Sequence, residues 1–204
     1  MPNDPDHTAR VQSFRTLFTN SNANEIVATK LLSPGSFALS DEKDASIRQF
    51  VSGQFNVPAV NVAIVSSGKL GFSISKKYKG GLVVGERYRP FTEKSDIDIA
   101  LICPTLFDQV WEETFRYMND IGPWAQLRSF EKYFFRGWIR PDKLPRSPNF
   151  RPLREWDKFF GDMSRNRDYT NHRISAGLYR QEFFLHSYQA VAVNECLQEE
   201  RTRA

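Results

Sequence analysis

The stretch DIDIALI, Asp96 to Ile102, constrains the fold more than any other segment: acid and isoleucine alternate over its first residues, and the run then turns continuously apolar. Such a pattern suits a strand with a buried interior whose first residues reach a sheet edge or a cleft. A second run, VNVAIV at Val60 to Val65, is rich in β-branched residues and stops at Ser66, Ser67 and Gly68, as a buried strand feeding a turn does.

Around these strands the period changes. Val11 to Phe18, Asn24 to Leu32 and Asp44 to Phe55 carry apolar residues at three- and four-residue spacing, with Ser40 and Asp41 offering a start to the third helix. Leu106 to Met118 repeats the same way and predicts a face of Phe107, Val110, Trp111 and Phe115. Asp108 is expected to cap that helix. Ser75 to Lys94 is basic, Gly-rich and aromatic and predicts a loop or hairpin. Four prolines between Trp138 and Pro152 predict an extended crossing. Arg154 to Met163 predicts a helix, Ile174 to Tyr179 a strand and Gln181 to Glu199 a closing helix, with fraying after Glu199. The expected class is α/β in the α+β sense, a small mixed sheet flanked by helices with a largely helical, basic C-terminal half.

With 204 residues, 40% of them hydrophobic and 14% aromatic, the chain can bury one core. It divides into a helical segment, 1–56, a central core, 57–120, and a basic part, 121–204, that completes the same domain. No apolar run approaches the roughly 20 residues that cross a bilayer, and Met1 to Arg10 lacks the layout of a secretion signal. The expectation is a cytoplasmic protein without a membrane partner. Cys103 and Cys196 are far apart among apolar neighbours and predict buried thiols. The formal charge is +4, yet Ile121 to Arg180 alone holds 13 Lys or Arg against 6 Asp or Glu, so a polyanion would meet that segment first.

Asp96 and Asp98, two apart in a strand, should project to one side while Ile97 and Ile99 project to the other. Two acids on one face repel, and Mg2+ or Mn2+ takes such oxygens readily while bridging to substrate phosphates. Upstream, Ser66, Ser67, Gly68 and Lys69 form a small-residue turn whose amides and hydroxyls can approach phosphate, with a lysine beside them. The Gly-x4-Gly-Lys-Ser/Thr loop pattern is absent.

An apolar strand, the turn SSGKLGFS and the acidic strand SDIDIALI together resemble the DNA polymerase β-like nucleotidyltransferase superfamily, and its small bacterial stand-alone members most of all. The resemblance covers about Val60 to Met118. It implies that Asp96 and Asp98 are catalytic and hold the divalent metal, and that Ser67, with Ser66 and Gly68 around it, contacts a nucleoside triphosphate. Lys69 would add a phosphate contact. The implied reaction moves a nucleoside monophosphate to a hydroxyl on RNA, another nucleotide or a protein. Ser66 stands where the family usually has glycine, and 28 residues separate Ser67 from Asp96, more than the compact family pattern. Active members also supply a third carboxylate from a later strand, but ISAGLY at Ile174 to Tyr179 has none. Glu131, Asp142, Asp168 and Glu182 have no assigned geometry. An inactive nucleotide-sensing protein therefore stays open beside the enzyme.

Arg173 and Arg180 flank the late strand and could reach phosphate, Arg180 being the stronger nucleotide-binding candidate. Trp138, Arg140, Lys143 and Arg146, with Tyr133 and Phe135 before them, interleave aromatics and cations as single-stranded nucleic-acid sites do. A basic nucleic-acid adaptor is the third reading. His7, His172 and His186 share no ligand spacing.

Overall fold

The computed structural model describes residues 5–203. Helix α1 spans Pro5–Thr16 and runs into a 3-10 turn, Leu17–Thr19. Helix α2, Ala23–Ile26, begins with a capping box in which the Glu25 amide donates to the Asn22 side chain and the Asn22 amide donates to the Glu25 carboxylate. It widens into a π-helical turn, Val27–Leu31. Helix α3, Asp41–Phe55, has Ser40 as its cap and three acids in its first turn, and left-handed Asn56 ends it.

Strand β1 is Val62–Val65, and the segment after it corrects the expected open turn: Ser66–Leu70 forms a short helix, α4. The Ala38 and Phe37 amides donate to the Gly68 and Lys69 carbonyls, which satisfies acceptors that a helix this short leaves open. Gly71, at φ 82, closes it where a Cβ would lie 2.9 Å from the Phe37 ring. The basic excursion holds four short strands: β2 (Phe72–Ser73), β3 (Lys77–Lys79), β4 (Leu82–Gly85) and β5 (Arg89–Pro90). β3 pairs with β4 as an exposed hairpin, and β2 pairs with β5 at its base.

Strand β6, Ile97–Ile102, leads into α5, Pro104–Asp120. Pro104 in the first turn costs no hydrogen bond there. Since α5 starts at Pro104 after Cys103, Asp108 lies beyond the first turn and is not its cap; it pairs instead with Arg180 at 3.0 Å. The buried face of α5 is Phe107, Val110 and Thr114, whereas Trp111 and Phe115 are exposed. Helix α6, Leu127–Phe134, precedes β7, Trp138–Ile139. The proline-rich crossing contains that strand and a 3-10 turn at Pro141–Lys143, and gives way to α7, Arg151–Arg165. Strand β8 is Ile174–Tyr179. Helix α8, Glu182–Arg203, continues past the expected fraying point, with Glu199 held by Lys76 at 2.7 Å and Arg87 at 3.2 Å; Ala204 lies outside the described residues.

The fold is thus mixed α and β, with a four-stranded sheet in the order β1-β6-β8-β7. β6 is antiparallel to β1 and parallel to β8, and β7 is antiparallel to β8. Ile64, Ile99, Leu101 and Leu178 bury one face against α3, α5, α6 and α7. Ala63, Ala100, Ile102 and Tyr179 bury the other against Leu185 of α8. A further cluster joins α1, α2 and α8 around Phe72 and Ile74, so the first helices pack through α8 and the base of the excursion. Both cysteines are buried free thiols. Among the described residues no helix is long and apolar enough to cross a membrane.

Candidate functional site

The strand register places the acid. Val65 lies opposite Asp98 across β1 and β6, and Ser175 lies beside Asp98 on β8. Side chains alternate, so Asp98 and Ser175 share a face with Ala100 and Gly177, while Ile97, Ile99 and Ile174 enter the core on the other. β7 pairs only with Leu178 and Tyr179, and after Ile139 the chain leaves the sheet. Beyond that departure a cleft of about 780 Å³ opens over β8, reaching Ser66 and Asp98 at one end and α7 at the other.

Ser66 is held at φ 60, the left-handed region that glycine occupies without strain. That backbone turns the chain sharply out of β1 and brings the Ser66 hydroxyl to the Asp98 carboxylate, where it favours the charged form. Burial pushes the Asp98 carboxyl up to about 6; the Ser66 hydrogen bond opposes this, the Asp96 charge adds to it, and Arg140 and Arg173 pull it down. Asp96 precedes the strand, so the alternation of β6 does not fix its side chain on the face of Asp98. It is half-exposed, 3.8 Å from Arg173, and does not line the cleft, although Arg173 does. The Ile97 amide donates to the Arg173 carbonyl, and His172 donates from Nδ1 to the Ser95 carbonyl at 2.9 Å, which fastens the two segments together.

The other expected nucleotide-binding residues are distributed differently. Ser67 is half-buried on α4, one residue beyond the cleft wall, and Gly68 is buried behind it. Lys69 is 9% exposed and donates to the carbonyls of Ser33 (2.6 Å), Pro34 (3.1 Å) and Gly35, so its ammonium is committed to that loop. Arg180 is also outside the cleft, in its pair with Asp108.

The aromatic and cationic cluster splits. Trp138, Arg140 and Arg146 line the cleft, whereas Lys143 and Phe135 do not; Phe135 is 90% exposed. The Trp138 ring is parallel to Tyr179 at 5.4 Å and touches Tyr188 at 4.5 Å. It lies so close over Gly177 that a Cβ there would come within 2.5 Å of its Nε1. Arg140 caps the Trp138 and Tyr133 rings and donates from Nε and Nη2 to Asp142 at 2.9 and 3.1 Å. Burial works against the Asp142 carboxylate, yet Arg140 and Lys143 hold it below its ordinary range.

Several cleft residues carried no sequence expectation, among them Ser175, Asp157 and Gly161. Ser175 occupies the position beside Asp98 where a third acid was sought. Asp157 and Gly161, one turn apart on α7, line the opposite wall. The helical period was the available signal: Trp156, Phe160 and Met163 mark the buried stripe of α7 and leave Asp157 and Gly161 beside it. Ser164 anchors this wall by accepting from the Ile174 amide at 2.8 Å. The site therefore offers a dehydrated carboxylate at one end, a second acid nearby, and arginines along the far side. No protein-family model, curated protein or solved structure matches the chain.

Proposed function

We propose that the protein is a metal-dependent nucleotidyltransferase that moves a nucleoside monophosphate from a nucleoside triphosphate to a hydroxyl and releases pyrophosphate. The observation that carries this reading is the Val65–Asp98 register, which sets the Ser66 bend beside a half-buried carboxylate at the mouth of the cleft. The left-handed backbone of Ser66 supports it, because the superfamily that the sequence resembles usually has glycine there.

The donor set suits a hard divalent cation. Asp98 is a dehydrated carboxylate raised further by Asp96, an arrangement that Mg2+ or Mn2+ would relieve. Among the described residues no group of three His, Cys, Asp or Glu could hold an ion, but Mg2+ is commonly bound by one or two carboxylates plus waters and phosphate oxygens. Asp96 and Asp98 would hold it, and when bound it would neutralise charge on the reacting phosphates. Ser67 and the amides around it would position the β- and γ-phosphates. The Trp138 and Tyr179 shelf would keep water from one side of the ligand.

A second reading has its own support. Ser175, with no charge, stands beside Asp98 on the strand from which a third acid would come, which suits a nucleotide sensor. Titration with each of the four nucleoside triphosphates and Mg2+, followed by assay of pyrophosphate release with hydroxyl acceptors, separates the two. Binding with release, abolished in Asp98→Ala, is expected of the enzyme. Binding without release supports the sensor, and absence of triphosphate binding removes both.

A further inference from the structure

The wall facing Asp98 carries charge that the transfer chemistry above does not use. Asp157, on α7, is pushed up by burial, and both Arg146 and Arg173 oppose that shift through space. Neither arginine is in ion-pair contact with it, so the three charges surround open cleft instead of closing on one another. Arg146 has no ion pair among the described residues, and Arg173 has only the loose, solvent-exposed contact with Asp96. One turn along α7 from Asp157 stands Gly161, where an added Cβ would meet only the end of Arg165, at 3.5 Å. A glycine inside a helix weakens it, and here it leaves free space against the helix in the direction of the cleft.

We propose that Arg146, Asp157 and Arg173 form a second subsite in the cleft, which binds the acceptor as a hydroxyl-bearing phosphate ester. The two guanidiniums take the phosphate, and the Asp157 carboxylate accepts a hydrogen bond from a hydroxyl. The space over Gly161 admits the body of the ligand. A cleft of about 780 Å³ is at the large end of small-molecule sites and has room for more than a triphosphate alone. This rests on the nucleotidyltransferase reading for the word acceptor, but the binding site itself does not require it.

The test is calorimetric titration of the full chain with AMP, with and without a saturating non-hydrolysable ATP analogue and Mg2+. AMP should bind in both conditions, and Arg146→Gln with Arg173→Gln should weaken it at least about tenfold while the analogue changes less than about twofold. Wild type should prefer AMP over 2′,3′-dideoxy-AMP by about tenfold, and Asp157→Ala should abolish that preference. Lys158→Gln, on the exposed side of α7, should change nothing. AMP that fails to bind at millimolar concentration, or that the analogue displaces, overturns the subsite. Loss of analogue binding without loss of AMP binding in the double variant also overturns it, because the arginines would then serve the donor. AMP binding that needs the arginines, in a chain with no affinity for the analogue, sustains the subsite and defeats the nucleotidyltransferase reading.

Discussion

Val65 and Asp98 face each other across the antiparallel pair of β1 and β6, so the first residue to leave β1 emerges beside the acid. The bend and the carboxylate cannot be repositioned independently. A one-residue slip of β1 would turn Val62 and Ile64 out of the core, which ties the geometry of the site to the packing of the sheet.

The raised Asp98 carboxyl makes stability depend on pH. Between pH of about 4 and 6 the folded chain holds this proton more tightly than the unfolded chain, so stability falls as pH rises through that window and the penalty persists above it. Without divalent metal, Asp98→Asn should therefore stabilise the protein at pH 7.5 by about 1–3 kcal/mol and change little at pH 4. Urea denaturation at the two pH values measures this, and a variant less stable than wild type at pH 7.5 would show that the charged carboxylate is favourably partnered.

Lys69→Met should destabilise the fold by about 2–4 kcal/mol, since three loop carbonyls lose one buried donor. Triphosphate affinity, measured well below the melting temperature, should stay within about twofold of wild type, because the ammonium already points at the loop. Weakened affinity with unchanged denaturation would reverse this assignment.

Gly177→Ala should displace Trp138. The new methyl would lie 2.5 Å from Nε1, and overpacking of this kind costs about 1–3 kcal/mol. A shift in tryptophan emission together with a lower melting temperature is the expected result; unchanged values of both would mean that the indole is not seated on β8.

Arg180→Ala removes an exposed pair with Asp108, outside the cleft. Surface pairs of this kind contribute little, so neither melting temperature nor triphosphate affinity should change measurably. A clear fall in affinity would return Arg180 to the phosphate site.

Strands β6 and β8 were legible because alternation and β-branching are local, and each boundary lay within a residue of the expected one. The shared end of the cleft was legible too, through the neighbouring runs that hold Ser66 and Asp98. The direction of Lys69 was not, since its partners lie more than thirty residues upstream and a cation beside small residues reads as a phosphate ligand. Trp111 and Phe115 misled for a related reason: a helical period shows that faces exist, while the choice of buried face is made by tertiary packing, here around Phe107 and Val110. The helical period sets Asp157 beside the buried stripe of α7 and the basic crossing carries Arg146, but that the two line one cleft follows only from the packing of α7 and the crossing onto β8.

The parallel pairing of β6 with β8 closes a loop of roughly seventy residues, which raises the contact order and delays the pairing relative to local structure. During synthesis β6 would emerge well before its neighbour, leaving an apolar strand with one flank unprotected. Cleft assembly is accordingly a late event, and a ribosome-bound chain ending before Ile174 would carry both aspartates without the strand that floors the cleft beside them.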